Sequence, residues 1–446
     1  MFVDVSLYDK QYKAYAALTN NKTKFIVFGG GANGGKSYLG CFWLISQALR
    51  YPGTKYFIGR DELKKLRDTT YITFIKVSKA LGVLDLWEYK SQDHFIEFTN
   101  GSRIDLIDLK YLPRDPLFER YGSTEYTAGW IEEGGEVNFG AFDVLKSRIN
   151  RHLNDKYKID GKILITCNPK KNWLYKHFYK PFKNGELAED RAFIQSLITD
   201  NIFRQKGSLE MLESIENEAL KQRLRYGNWE YDEEPDQLIK YIWIERNNRR
   251  IRGKSYLGVD VARYGNDLSV IAKLSGNYLE YIRSFKHLDS TEMAEQVKNV
   301  ILEDRTDSEN VGIDTVGLGG GVYDILRKDG IVCYEVQSGE SPQQEYKGYK
   351  FKNLRALMWW VARDLIKSGE LDLTGAPDQL LEDLTAPRYS IKDDKYITVE
   401  KKKDIKRRIG RSTDFGDAFV YVVWMRYMRE NTAPISYTFG NRRTWS

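Results

Sequence analysis

Residues Gly30-Gly31-Ala32-Asn33-Gly34-Gly35-Lys36-Ser37 fit the pattern GxxxxGK[ST]. An apolar run, KFIVF, precedes them and a helical pattern follows, the context this pattern requires. Few short motifs constrain a fold so strongly. Glycines such as Gly30 and Gly35 let backbone N–H groups close around phosphate oxygens, and the start of the following helix adds positive field. Lys36 would neutralise the β- and γ-phosphates, and Ser37 would hold Mg²⁺. The chain is therefore expected to open with an α/β domain that takes a nucleoside triphosphate.

Further strands support that expectation. KYFIGR (Lys55 to Arg60), YTAGWI (Tyr126 to Ile131) and KILITC (Lys162 to Cys167) alternate with helical spacers. This alternation predicts a mainly parallel sheet covered on both faces. Two of these strands end in groups suited to hydrolysis. Glu132 and Glu133 follow the apolar YTAGWI. Glu132 would organise the metal through water, and Glu133 would polarise the attacking water. Asn168 follows KILITC, where it could sense the γ-phosphate or hold the water, and Pro169 would fix the exit turn. Arg60, Arg67, Arg148 and Arg151 are candidates for the arginine that stabilises charge on the transferring phosphoryl group, and the sequence does not choose among them.

A second α/β unit begins at SYLGVDVA (Ser255 to Ala262). LSVIAKL and NYLEYIRSF read as paired antiparallel strands, and ENVGIDTVG as a further strand. LRALMWWVARDLIKSG and GDAFVYVVWMRYM read as helices. Asp260 and Asp314 each interrupt an apolar strand, and Asp414 and Asp417 form a DxxD pair opening a helix. A buried carboxylate is costly unless paired or metal-bound, so several of them on separate apolar elements imply convergence on a cation. Hard oxygen donors without Cys or His favour Mg²⁺ or Mn²⁺ over zinc, and two such ions can activate water against a phosphodiester. Asp414 has a competing role as a helix N-cap, which makes Asp417 the stronger ligand candidate. Asp267 is as well explained by the start of the next hairpin strand. KKKDIKRRIGR (Lys401 to Arg411) reads as a basic loop that would hold a nucleic-acid backbone over the acidic site, with a solvated charge run as the alternative. GLGGG (Gly317 to Gly321) lacks a following Lys-Ser and reads as a flexible turn.

Residues 230–252 start acidic and end basic, and mark the boundary. The expected organisation is a nucleotide-binding domain over 1–230, a linker over 231–252 and a second domain over 253–446. The remaining composition bears on what is excluded. Of 446 residues, 41% are hydrophobic, enough for sizeable cores and too many for a disordered chain. Cys41, Cys167 and Cys333 are scattered, which argues against a disulfide scaffold or structural zinc. No apolar run is long enough to span a bilayer, and no signal peptide is visible, so a soluble intracellular protein is expected. The net charge of +6 permits a polyanionic partner without demanding one.

Taken in order, these blocks resemble the large terminase subunit of tailed bacteriophages, over nearly the whole chain. GGGANGGKS looks like that family's Walker A loop, and WIEEGGEV like its Walker B strand with the catalytic glutamate. ITCNP looks like its coupling motif, the Gln11 segment like its adenine motif, and RLRYGNW (Arg223 to Trp229) like the stretch that closes its ATPase domain. GVDVARYGNDLSVI, GIDTVGLGGG and GRSTDFGDAF look like the three acidic blocks of its nuclease. The resemblance implies a P-loop NTPase domain followed by an RNase H-like nuclease domain. Its ligands would be ATP with Mg²⁺ (Mn²⁺ being possible at the nuclease), with Gln11 reading the adenine edge. It further implies translocation of double-stranded DNA into a procapsid, cutting of concatemers, a homo-oligomeric ring, and portal protein and small terminase subunit as partners. The place of action would be the host cytoplasm, transiently at the portal, with the protein absent from the mature virion. Two departures stand out: Ala32-Asn33 occupies the place where many members carry an arginine, and Glu132 replaces the usual Asp. A repair or recombination ATPase with a resolvase-like nuclease, and a non-catalytic nucleotide-binding scaffold that docks on the portal, are the alternatives.

Overall fold

The computed structural model describes residues 6–112, 114–231, 236–244, 250–262, 267–342, 345–392 and 395–431. The chain forms two compact units, Met1–Pro235 and Asp236–Ser446.

The first unit is built on an eight-stranded sheet. Its strands are β1 (Phe25–Gly30), β2 (Lys55–Arg60), β3 (Trp87–Lys90), β4 (Phe95–Phe98), β5 (Arg103–Asp108), β6 (Ala128–Ile131), β7 (Ile163–Cys167) and β8 (Arg191–Ser196). The order is β3-β4-β5-β2-β6-β7-β1-β8. Neighbours from β5 through β8 run parallel, and the β3–β4 and β4–β5 pairs are antiparallel. The parallel strands are buried on both faces, as their continuous apolar sequences require. The helix Lys36–Arg50 lies in one core layer with Trp43, Trp130 and Phe74. Gly40 permits the close packing of this layer, since a Cβ there would meet the Trp130 ring at 2.6 Å; outside this layer, a Cβ on Gly129 would meet Phe57 at 2.1 Å.

The topology decides where the chemistry gathers. β7 lies between β1 and β6. The loop after β1, Asn168 after β7 and the glutamates after β6 therefore emerge side by side at the carboxyl ends of adjacent parallel strands, where α/β sheets bind ligands.

The second unit carries a five-stranded sheet of β9 (Ser255–Asp260), β10 (Ser269–Ser275), β11 (Tyr278–Phe285), β12 (Val311–Asp314) and β13 (Tyr334–Val336), in the order β11-β10-β9-β12-β13. β9, β10 and β11 pair antiparallel, while β12 runs parallel to β9 and β13. This mixed sheet, three antiparallel strands extended by two parallel ones, agrees with the RNase H-like fold that the resemblance implies. A small separate sheet joins β14 (Lys350–Phe351), β15 (Tyr389–Lys392) and β16 (Tyr396–Val399) in the order β14-β16-β15. The helix Asp414–Asn431 packs on β9 at backbone contact distance, because Gly258 has no side chain: a Cβ there would lie 2.3 Å from Ala418 O and Val422 N.

Three expectations require correction. Residues Gln237–Ile244, expected in the linker, pack into the second unit: Leu238, Ile239, Tyr241 and Ile244 are buried, and Leu238 N–H donates to Pro387 O at 2.9 Å. The apolar LIKYIWI has more to gain from burial than a solvated linker would allow. Residues 232–235 and 245–249 of the expected linker lie outside the described residues, as do residues 263–266, where the sequence predicts a glycine turn before Asp267. The GLGGG run is not simply a turn, since Gly319–Gly321 open the helix Gly319–Lys328. Gly319 is required there, as a Cβ would lie 1.7 Å from Asp314 O. The basic run is not a loop: Lys402–Ile409 is a helix.

Candidate active sites

The glycine-rich loop runs from β1 into the helix Lys36–Arg50 with Gly30, Asn33 and Gly35 at φ of 135°, 57° and 63°. Gly30 is irreplaceable on space as well as φ, since a Cβ would lie 2.2 Å from Ser196 O. Side chains fasten the loop from outside. Tyr8 donates to Gly34 O, and Ser196 Oγ reaches the same carbonyl at 2.9 Å. Ala32 N–H donates to Leu224 O at 2.7 Å. Gln11 Nε2 donates to Gly35 O at 3.0 Å, while Gln11 Oε1 is buried without a partner. An acceptor left unsatisfied beside the loop fits the exocyclic amine of a purine.

Lys36, Asn168 and Glu133 form one chain across three strand ends. Lys36 Nζ donates to Gly31 O and to Asn168 Oδ1 at 3.2 Å. Asn168 Nδ2 donates onward to Glu133 Oε2 at 3.5 Å. Burial lowers the pKa of the Lys36 ammonium, with Glu133, Cys167 and Glu132 opposing. Glu133 sits at φ 49°, a conformation that a glutamate adopts only when its surroundings impose it. Burial raises its carboxyl pKa, against Lys36 and Arg60.

Glu132 is also buried, and burial pushes its pKa up to about 7, opposed first by a hydrogen bond with Ser37 and then by Arg60. Glu132 Oε2 is shielded from solvent and has no hydrogen-bond partner. A carboxylate influenced by a neighbouring hydroxyl, with a buried oxygen to spare, fits a hard divalent cation. Of the four arginines considered from sequence, Arg60 alone acts electrostatically on Glu132 and Glu133. Arg67 and Arg151 are exposed, and Arg148 is spent on Gly122 O and Ser147.

In the second unit, Asp260 and Asp314 close the adjacent parallel strands β9 and β12, and Asp414 and Asp417 stand on the first turn of the helix laid across β9. The cation on which three of them converge is a side chain. Lys402 Nζ lies 3.0 Å from Asp260, 3.1 Å from Asp414 and 3.1 Å from Asp417. Burial works to lower the Lys402 pKa, and Asp260, Asp417 and Asp414 together hold it well above the usual lysine value. Asp260 is pushed well up by burial, Lys402 opposing. Asp417 is held low despite burial by Lys402 and Arg355, and by a 3.0 Å hydrogen bond from Trp359 Nε1. Asp314 stands apart from the trio, accepting from Tyr421 Oη at 2.7 Å. Among the described residues no three carboxylates are spaced as a metal-ligand group. The set is gathered around an ammonium, so these oxygens suit a divalent cation only when Lys402 withdraws.

Asp414 does not serve as an N-cap: its Oδ2 accepts from Leu268 N–H at 2.9 Å, and Thr413 Oγ1 reaches Asp417 Oδ2 at 3.0 Å. Asp267 pairs with Lys406 at 2.6 Å. Most of the basic run is likewise engaged within the chain, with Arg407 near Asp404, Arg408 on Glu400 and Arg411 on Glu382 and Asp383. Lys401 and Lys403 remain exposed to meet a polyanion. Sequence reasoning passed over Tyr8, Ser196, Trp359, Tyr421 and the special place of Lys402. Tyr8, Trp359, Tyr421 and Lys402 lay inside segments already singled out, but nothing in their spacing marked them.

Residues 21–227 match the family model described as phage terminase large subunit. A 202-residue segment is 26% identical to the PBSX phage terminase large subunit of Bacillus subtilis, over 42% of this chain and 44% of that protein. The chain thus spans less than half the length of that curated relative. The large terminase of a thermophilic bacteriophage aligns over 94% of this chain and 98% of its own, at 13% identity and a TM-score of 0.43. The nuclease domain of the large terminase subunit of bacterial virus Sf6 aligns over 42% of this chain and 98% of its own, at 18% identity and a TM-score of 0.38. No described helix is long and apolar enough to cross a membrane.

Proposed function

We propose that the chain is a large terminase subunit: an ATPase that drives double-stranded DNA into a procapsid, joined to a divalent-metal-dependent endonuclease that cuts concatemeric DNA. The observation that carries this reading is the Lys36–Asn168–Glu133 chain across the ends of β1, β7 and β6, inside the stretch matched to that family.

In the first unit the loop amides and Lys36 bind the β- and γ-phosphates, with Gln11 Oε1 facing the adenine. Ser37 and Glu132 would hold Mg²⁺, which supplies charge neutralisation at the phosphates. Glu133 orients a water and takes its proton as the water oxygen bonds to the γ-phosphorus and the bridging bond to ADP breaks. Asn168 exchanges Lys36 for the terminal phosphate when ATP arrives, and so reports that arrival to Glu133.

In the second unit Asp260, Asp314, Asp414 and Asp417 would hold Mg²⁺ or Mn²⁺, which supplies activation of water and stabilisation of the leaving oxygen. Trp359 and Thr413 orient Asp417, Tyr421 orients Asp314, and Lys401 with Lys403 meets the phosphate backbone. Portal protein and a small terminase subunit are the partners this reading requires, in a homo-oligomeric ring acting at the portal in the host cytoplasm.

The test is ATP hydrolysis and plasmid cleavage, in Mg²⁺ and in Mn²⁺, for wild type, Lys36→Ala and Asp260→Ala. Loss of hydrolysis alone in the first variant and of cleavage alone in the second is expected. Cleavage that survives Asp260→Ala would remove the nuclease half of the reading.

A further inference from the structure

Arg223 lies on the helix Glu218–Leu224. Leu224, the next residue, accepts the Ala32 N–H at 2.7 Å, and Gly31 comes so near that a Cβ on it would lie 2.6 Å from the same carbonyl. The end of this helix is therefore fastened to the phosphate loop. Arg225 on the same segment pairs with Glu213 at 3.0 Å. Among the described residues no anion pairs with Arg223 in this way. Its Nε is shielded from solvent and makes no hydrogen bond. Its charge reaches Glu133, where it joins Lys36 and Arg60 in opposing the effect of burial on that carboxylate.

A partly buried guanidinium with an unsatisfied donor is unfavourable unless something else satisfies it. The loop that its neighbour Leu224 touches, and the Glu133 carboxylate on which its charge acts, are groups that would surround the terminal phosphate. A guanidinium matches phosphoryl oxygens in shape as well as in charge.

We propose that Arg223 contacts the γ-phosphate in cis and distinguishes the nucleoside triphosphate from the diphosphate. This inference rests on the ATPase reading and deepens it. On hydrolysis the water oxygen joins the γ-phosphorus, the bridging oxygen leaves with ADP, and Glu133 receives the proton. Arg223 neutralises the charge spread over the equatorial oxygens. When phosphate departs, Arg223 loses its partner, and the segment from Glu218 to Trp229 registers the change. Arg223 and Arg60, on opposite sides of Glu133 in the sequence, together fill the role left open by Ala32-Asn33 in the loop.

The experiment titrates the full chain with fluorescent ADP and fluorescent ATPγS in Mg²⁺, for wild type, Arg223→Ala, Arg223→Lys and Lys36→Ala, and follows steady-state hydrolysis in parallel. Arg223→Ala is expected to keep ADP affinity within about twofold while losing at least tenfold in ATPγS affinity. Its kcat should fall by about a thousandfold or more, as for other arginines that meet a transferring phosphoryl group, and Arg223→Lys should lie between. An unchanged ATPγS-to-ADP ratio, or an equal fall in both affinities, would overturn the proposal, the latter marking a structural role. Lys36→Ala should lose both nucleotides. If wild type binds neither nucleotide, or Lys36→Ala binds both as wild type does, the ATPase reading itself fails, which is a different result from a failure confined to Arg223.

Discussion

Replacing Lys402 by Met removes the ammonium from among Asp260, Asp414 and Asp417 and keeps most of the stem's apolar volume. The three contacts measure 3.0, 3.1 and 3.1 Å, and the carboxylate side chains are 8%, 7% and 1% exposed. At an effective dielectric of about 20, each contact has a gross attraction of roughly 5 kcal/mol, most of it offset by desolvation. Breaking a buried pair by removing one partner typically costs about 3–5 kcal/mol. Lys402 itself is 36% exposed, so water relieves part of this, and about 2–4 kcal/mol is expected for the second unit near pH 8. The sign with pH follows from the carboxylates. Without the ammonium Asp260, already pushed up by burial, rises further, and Asp417 loses the main charge that holds it low. The folded variant then binds more protons than the unfolded chain, so its stability falls as pH rises above the unfolded value of about 3.9. Relative to wild type the loss should be largest at alkaline pH and nearly vanish below about pH 4. Mn²⁺ should restore the variant more than it stabilises wild type, because it no longer competes with a tethered cation. Scanning calorimetry of the full chain at pH 4 and 8, in chelator and in Mn²⁺, measures both effects, with the transition of the second unit identified by its response to the metal. A destabilisation independent of pH, or equal Mn²⁺ shifts in the two proteins, would refute the electrostatic account.

Other substitutions probe single links. Glu133→Gln should retain ATP binding within a few-fold and lose at least a hundredfold in kcat, and undiminished turnover would remove Glu133 from the water-activating role. Because burial holds Glu132 near pH 7 in the free protein, Mg²⁺-nucleotide affinity should rise with pH through that value. Titration calorimetry of Glu132→Gln should show the pH dependence abolished. Gly258→Ala places a methyl 2.3 Å from the backbone of the helix that carries Asp414 and Asp417. It should destabilise the second unit by about 1–3 kcal/mol or more and depress cleavage while sparing ATP hydrolysis, which urea unfolding and paired activity assays can check.

The candidate nucleotide site was legible because its parts are local. A strand, a glycine loop and a lysine at a helix start occupy consecutive positions, and Glu132, Glu133 and Asn168 each mark the end of an apolar run. The carboxylates of the second unit were legible for a related reason: a charge inside an apolar strand is conspicuous. The strands β1, β2, β6 and β7, and the hairpin of β10 with β11, were visible from their residue patterns. The small sheet of β14, β15 and β16 was not, since its strands are only two to four residues long and β14 joins from a segment distant in the chain.

What the sequence by itself determined, then, is the inventory of charged and flexible residues and the ends of the strands that bear them. The tertiary structure alone decided which of them meet. Strand order put Asn168 between Lys36 and Glu133, and no local pattern encodes strand order. Folding the basic run into a helix aimed Lys402 into the acidic cluster and tied Lys406, Arg408 and Arg411 to carboxylates, because within a dense charge run the partners are set by distance in space. Arg223 looked like one more basic residue until the helix Glu218–Leu224 came back to the glycine loop, leaving a guanidinium whose charge acts on Glu133 with a buried donor unsatisfied. Spacing along the chain fixes what a helix or strand presents on each face. Which faces meet follows from burial shared over the whole unit.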